Sequence, residues 1–274
     1  MTELYGADAY SPTEIARRVE AVGEAKARLA LLPLAMLGVL AGAFIGLGAM
    51  LFVLVKSDVS MGFATSQLLG GLVFSLGLLM VVVAGAELFT GNNLLVMAWA
   101  DGRIRIGQVL RNWTVVCLSN FAGAAGLAVL VFWSGHTDLN GGAVGQKVVQ
   151  LALAKQDLPF WTALMRGVLC NVLVCMAVWM AMAGRSVVDK AVAVVFPVMA
   201  FVAAGFEHSI ANMYLMPLAM LIQQVGSPTP VAAATVTSMG MLGNLLPVIL
   251  GNLLGGAGLV GLVYHVIYLR QSRN

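Results

Sequence analysis

Charge is scarce in this chain: Asp, Glu, Lys and Arg make up 10% of its 274 residues, against 60% hydrophobic. A water-soluble domain of this length needs far more charge to cover its surface, so water is not its main solvent. A mean hydropathy of +0.94 agrees. Cysteine is equally sparse. Cys117, Cys170 and Cys175 all lie in hydrophobic runs, which argues against a disulfide framework or a zinc site. The Lys and Arg residues are scattered and the net charge is only +3, so there is no nucleic-acid footprint. There is no H-E-x-x-H, and histidine is too rare to pair for haem; no metal, no cofactor and no enzyme activity are expected. Residues 1–27 hold Glu3, Asp8, Glu14, Glu20 and Glu24, unlike the basic start and apolar core of a cleavable signal, so none is expected.

What the chain has in excess is long apolar runs. Six segments, about 29–55, 66–100, 108–133, 158–183, 190–224 and 236–269, each reach the ~20 residues that cross a hydrocarbon core of ~30 Å. The 31 glycines suit helices packed through small residues or deliberately broken. Basic residues cluster before the first segment (Arg17, Arg18, Lys26, Arg28), in the second connection (Arg103, Arg105, with Arg111 beside it), in the fourth (Arg185, Lys190) and at the end (Arg270, Arg273). The odd connections are poorer, with Lys56 in the first, Lys147 and Lys155 in the third and none in the fifth. Six crossings with this alternation place both termini in the cytoplasm and the protein in the inner membrane. Residues 1–28 are expected to form a cytoplasmic segment with an amphipathic helix, 29–270 the six-span domain and 271–274 a cytoplasmic tail. That helix starts at Ser11-Pro12-Thr13-Glu14, an N-cap, a first-turn proline and an acid at N3. With Ile15, Val19, Val22 and Ala25 on one face, it lies either on the cytoplasmic surface or in the membrane interface.

The second and fifth segments run to about 35 residues, longer than one span needs. Each has a polar interruption: GAELFTGNN at 85–93 and GFEHSIANM at 205–213. Aligned on glycine, both read G-x-E with Asn five residues after the Glu. The next span carries Asn120-Phe121-Ala122-Gly123 in one half and Asn252-Leu253-Leu254-Gly255 in the other. Three spans per half is an odd number, so the copies, 29–133 and 158–270, are inverted repeats with a site at their interface. The fold class is therefore an all-α membrane protein with broken second and fifth helices. Irregular backbone survives at mid-membrane depth only where protein or a polar cavity surrounds it, so the breaks face a pore.

His208 is the one histidine deep in a hydrophobic segment; His136 is in a loop and His265 is near the end of the last span. An intramembrane titratable group is a functional candidate, and imidazole titrates near neutrality. Glu87 and Glu207 are read as structural, accepting N–H groups freed where the helices break. Arg166 reads as a snorkelling or intersubunit residue rather than a pore-lining one. Lys155 either concentrates anions at a pore mouth or is simply solvated.

GAELFT (85–90), GFEHSIANM (205–213), NVLVCMAVWM (171–180), GRSVVDK (184–190) and the stretch from Asn244 to Arg270 resemble the formate/nitrite transporter family, and within it the bacterial formate-channel branch most. The resemblance implies an aquaporin-like protomer, a homopentamer with a pore in each protomer, and weak-acid monoanions as cargo: formate first, then nitrite, hydrosulfide, acetate or lactate. It makes His208 the central pore histidine and Thr90 its hydrogen-bonding partner, with Asn171 and Asn212 near them. It also implies apolar constrictions at Phe74, Leu78, Leu88, Phe89 and Phe201, and a vestibule lysine at Lys155. Gly91-Asn92-Asn93 departs from the small hydroxyl residues of the formate-channel branch.

The function expected is a channel in which a basic vestibule attracts the anion, an apolar slit strips its water and a proton at or near His208 lets it pass. Thr90, Asn171 and Asn212 would hold the imidazole. An intramembrane enzyme using Glu207-His208 lacks a nucleophile setting or metal set, and a neutral-solute pore gives no reason for a titratable centre. Nitrite or hydrosulfide conduction, or proton-coupled symport of short monocarboxylates, are the closer alternatives.

Overall fold

A computed structural model describes residues 9–225 and 234–270. Among them the structure is helical, apart from one isolated bridge between Ala9 and Gly184. The tail, 271–274, lies outside the described residues.

The first helix, α1 (Pro12–Ala27), begins where the sequence places it: the Ser11 side chain accepts from the Glu14 N–H, and Glu14 reaches back to the Ser11 N–H. Its buried face is Ile15, Ala16, Val19, Glu20, Gly23 and Ala27. Ala25 points outward. The helix lies on protein, against Leu94, Met97 and Trp179, because that apolar stripe finds a matching cluster there.

Among the described residues, five helices are long and apolar enough to cross a membrane: Leu31–Ser57, Phe63–Gly85, Ile106–Trp133, Phe160–Ala183 and Ser238–Tyr268. They comprise α2 (Leu31–Ser57), α3 (Phe63–Met80) with a π turn to Gly85, α5 (Ile106–Trp133), α7 (Phe160–Ala183), and α10 (Ser238–Leu253) continued by a π stretch and α11 (Val263–Tyr268). The predicted fifth segment is divided into α8 (Val187–Ala203) and α9 (Ser209–Val225), each too short alone. The second segment breaks after Gly85 and returns through a 3₁₀ turn, Gly91–Leu95, into the short α4 (Val96–Ala100). One further helix, α6 (Ala143–Gln156), lies between α5 and α7.

The two halves are built alike. In one, α2 packs on α3 and α5; in the other, α7 packs on α8 and α10. A Cβ on Gly123 would overlap the Val39 carbonyl, and one on the matching Gly255 would overlap that of Val168. Close backbone approach holds each crossing, where burial from lipid gives no hydrophobic drive. Both breaks follow a glycine in the left-handed region, Gly85 at φ 82° and Gly205 at φ 71°. The next residue turns back each time: Ala86 N–H donates to Val81 and Phe206 N–H to Phe201, both at 3.0 Å. The halves exchange their broken ends, α9 packing on α5 and the Gly91–Leu95 turn packing on the Leu254–Leu262 π stretch.

Arg103, in the α4–α5 turn, ties α1 down with Nε 2.7 Å from Glu20 Oε1 and 3.3 Å from Asp101 Oδ2, and Nη1 3.8 Å from Glu24 Oε2. Burial first, then the Asp101 carboxylate, push the Glu20 carboxyl up to about 7. An acid with a raised pKa holds its proton more tightly when docked. Its contribution is therefore full below the ordinary value of 4.5 and is lost as pH rises through about 7. Glu20→Gln mimics the protonated group, so α1 docking in this variant is expected to lose that pH dependence. A spin-label distance between α1 and the α4–α5 turn, followed from about pH 5 to about pH 8, checks this.

Candidate functional site

The two breaks bring matching polar groups to the middle of the helical body. In the first, Asn120 from α5 donates to Gly38 O (2.7 Å) and Glu87 O (2.9 Å) and accepts from Phe89 N–H (2.9 Å). In the second, Asn252 from α10 donates to Gly167 O (2.8 Å) and Glu207 O (3.1 Å) and accepts from Ser209 N–H (3.1 Å). The glutamate N–H groups go to Leu37 O at 3.2 Å and Arg166 O at 3.3 Å. An amide side chain offers both donor and acceptor, which a broken helix end requires. The asparagines, rather than Glu87 and Glu207, therefore satisfy the freed backbone.

The glutamates instead hold lysines. Lys26 Nζ lies 3.0 Å from Glu87 Oε1 and 2.8 Å from Asn92 Oδ1, while Asn92 Nδ2 donates to Glu87 Oε2 (2.7 Å) and Asn112 Oδ1 (2.9 Å). Lys155 Nζ lies 2.8 and 2.9 Å from the Glu207 oxygens, while Asn212 Nδ2 donates to Glu207 Oε2 and Asn244 Oδ1, both at 2.7 Å. Each remaining asparagine reaches the backbone of its lysine, Asn112 to Lys26 O and Asn244 to Lys155 O. Pairing and amide hydrogen bonds make a buried carboxylate beside a partly exposed lysine tolerable in each half. Lys26 thus belongs to the site although its sequence position marked it only as one of several basic residues before a span. The signal available was the matched Glu-to-Asn spacing, which calls for a matched cation.

His208 stands just before α9. Its Nδ1 accepts from Ala211 N–H at 3.2 Å, and its Nε2 faces Thr90 Oγ1 at 3.0 Å. A ring nitrogen that accepts a backbone N–H is unprotonated, so the neutral ring carries its proton on Nε2, toward Thr90. Phe201 stacks on the imidazole at 5.8 Å between centroids, and Phe74 meets it edge-on at 6.5 Å. His208 is 3% exposed and Thr90 0%.

Two cavities flank this centre. One of about 360 Å³ on the α1 side is lined by Lys26, Leu78, Glu87, Leu88, Asn92 and Lys190, among others. One of about 210 Å³ on the α6 side is lined by residues that include Lys56, Phe74, Lys155, Phe201, Glu207 and His208. They share no lining residue. Leu78 and Leu88 line one and Phe74, Phe201 and His208 the other, and each cavity also carries lysines.

The sequence-named residues do not all meet the imidazole. Asn212 lines the α6-side cavity but bonds to Glu207 and Asn244. Asn171, fully buried, donates toward Thr90 O (3.2 Å), Asn93 Oδ1 (2.7 Å) and Asn252 O (2.7 Å). Thr90 and Ala211 N–H hold the ring, because the turn into α9 aims Nδ1 at its own backbone. Phe89 lines neither cavity and sits in the core. Arg166 borders the α6-side cavity with an exposed side chain. Among the described residues no group of three His, Cys, Asp or Glu could hold a metal ion.

An all-helical body of membrane-crossing length, with two inverted halves whose broken helices meet between opposed chambers, defines an integral membrane channel or transporter rather than an enzyme. The sequence profile of the formate/nitrite transporter family matches residues 13–266, and the chain belongs to that family. It is 41% identical to the formate channel FocA of Escherichia coli strain K12, over 97% of this chain and 96% of that one. It is 35% identical to the formate channel BtFdhC of Bacillus thuringiensis, over 97% and 98%. Among solved structures it superposes on a pentameric formate channel with formate bound, with a TM-score of 0.81, 36% identity and coverage of 87% of this chain and 98% of that one. An ion channel of the same family gives a TM-score of 0.82 at 31% identity, covering 93% and 99%.

Removing one partner of a buried pair leaves a charge stranded, at a cost of about 3–5 kcal/mol. Lys155→Met is therefore expected to lower the thermal unfolding temperature of the detergent-solubilised protein more than Lys155→Met combined with Glu207→Gln. Equal losses would show that the pair carries no such energy.

Proposed function

We propose that this protein conducts small weak-acid monoanions, formate first, with permeation tied to a proton at His208. The observation that carries this is the Thr90 Oγ1–His208 Nε2 contact of 3.0 Å at an apolar waist between two lysine-bearing cavities. Lys155 and Lys26 are paired with carboxylates, so the positive charge that raises the local concentration of anions comes from Lys56 beside Lys155 on one side and Lys190 beside Lys26 on the other. A bare anion cannot cross the waist of Leu78, Leu88, Phe74 and Phe201 cheaply, whereas the neutral acid can.

The proton passes along the ring. Water in the vestibule delivers a proton to His208 Nδ1, which releases Ala211 N–H. The Nε2 proton moves to Thr90 Oγ1 as the Thr90 hydroxyl proton moves to formate. Formic acid results, and the ring is neutral again with its proton on Nδ1. On the far side formic acid gives its proton to water, and the ring regains its starting tautomer by taking a proton at Nε2 and releasing the one on Nδ1 to water, so each formate crosses with one proton. Asn171 acts by holding the Thr90 carbonyl, and Asn212 by orienting Glu207 beside Lys155. Phe89 acts through its backbone.

The chain crosses the inner membrane six times, α8 and α9 together forming one crossing, with both termini in the cytoplasm. The repeats include α1 and α6, since Lys26 and Lys155 occupy matched places. Five copies assemble, as in the superposed formate channel, with one pore in each. Nitrite, hydrosulfide, acetate and lactate share the charge and small size that the waist selects.

His208→Phe in liposomes is expected to lower formate flux and flatten its dependence on pH between about 5 and about 7.5. Unchanged flux and an unchanged profile would remove the histidine from the mechanism. Competition among the five anions, with and without a proton gradient, separates a channel from a proton-coupled symporter.

A further inference from the structure

The inverted repeat supplies its own control. Residues that occupy matched places in the two halves build the scaffold, while polar residues present in only one half mark what the scaffold was adapted to do. At the breaks, Lys26, Glu87, Asn92, Asn112 and Asn120 match Lys155, Glu207, Asn212, Asn244 and Asn252. His208, however, is matched by Leu88, Thr90 by Ile210, Asn171 by Gly42 and Asn93 by Met213. Ser209, opposite Phe89, is unmatched as well, but these four are not scattered. They form one connected chain: His208 to Thr90 at 3.0 Å, the Thr90 carbonyl to Asn171 at 3.2 Å, and Asn171 to Asn93 at 2.7 Å.

From this continuity we infer that Asn93 is a positioning residue for the Thr90–His208 pair, clamping the loop that carries Thr90 to the opposite repeat. Asn93 is fully buried. Its Nδ2 donates to Phe89 O at 3.0 Å, the carbonyl just before Thr90, and its Oδ1 accepts from Asn171. Both carbonyls flanking the Thr90 α-carbon are thus gripped, one by Asn93 and one by Asn171, so the Thr90 peptide planes cannot turn without breaking an amide bond. Cys175 Sγ adds a weak donor to the Thr90 carbonyl at 3.4 Å. Adjacent Asn92 fixes the same turn to α1 and α5 through Lys26 and Asn112. The π stretch opens the space this needs: a Cβ on Gly256 would overlap Asn171 Nδ2 and lie 2.8 Å from Cys175 Sγ and 2.9 Å from Asn93 Cβ. The amide pair is what keeps the Thr90 hydroxyl aimed at His208.

This inference rests on formate permeation past Thr90, but not on proton transfer at His208, and the test separates the two. Asn93→Leu keeps the volume and removes both bonds; Asn93→Ser is a smaller change that folds readily and cannot span both partners. Each is measured alone and combined with Thr90→Val, reading formate flux in liposomes, the formate-to-lactate flux ratio and the melting temperature of the assembly. Asn93→Leu is expected to cut formate flux at least about tenfold, since small misplacement of a positioned group costs up to about a hundredfold. It is expected to add little to the loss already caused by Thr90→Val, because both act at one hydroxyl. Asn93→Leu and Gly256→Ala, which presses on the same two amides, are both expected to lower the formate-to-lactate flux ratio, because a loosened Thr90 discriminates less between the two anions. Wild-type flux in both Asn93 variants, or losses that multiply with Thr90→Val, would overturn the inference. Flux loss that tracks a fall in melting temperature alone, with an unchanged flux ratio, would also overturn it. Should His208→Phe prove silent, the coupling between Asn93 and Thr90 is still read from formate flux.

Discussion

Everything at the centre of this molecule follows from one constraint: a helix broken inside a membrane exposes backbone N–H and C=O groups where no water can satisfy them. The chain meets it with a single asparagine per break, Asn120 and Asn252, each bridging three backbone groups across two elements. With the backbone satisfied by neutral amides, the carboxylates of Glu87 and Glu207 are left to hold lysines. The charges that face the two cavities are consequences of that arrangement. Glycine makes it possible, by turning the chain at Gly85 and Gly205 and by letting α2 meet α5, and α7 meet α10, backbone against backbone.

The same scaffold twice over explains why the site is both symmetric and not. Matched lysine–glutamate–asparagine sets give the chambers a similar chemical lining from either direction. The imidazole breaks the match, and its neighbours break it with it. Thr90, the hydrogen-bonding partner of His208, is supplied by the other half, so that contact lies between the repeats.

Much of this was legible in the sequence. Hydrophobic length marked the five helices long enough to span and the segment divided into α8 and α9, G-x-E with a following Asn marked both breaks, and the isolation of His208 in an apolar run marked the buried histidine. The resemblance to formate/nitrite transporters agreed with a family match and with near-full-length relatives. What was misassigned was partnership. Glu87 and Glu207 were expected on backbone N–H groups, and Asn171 and Asn212 on the imidazole. Lys26 was read only as a topology signal, because a lysine before a first span looks like every other one. Asn93 stood out only as a departure from the family pattern.

Hydrophobic periodicity, run length and local chemistry act within a few turns of chain, so the sequence by itself determined the helices, their breaks, the capped start of α1 and the identity of the buried titratable group. Which carboxylate takes which lysine depends on contacts between residues 52 to 61 positions apart, and the Thr90–His208 and Asn93–Asn171 contacts join residues 118 and 78 positions apart. Only packing of the two halves brings such groups within hydrogen-bonding distance, and in a medium that offers no water, those distances decide which polar atom each one must satisfy.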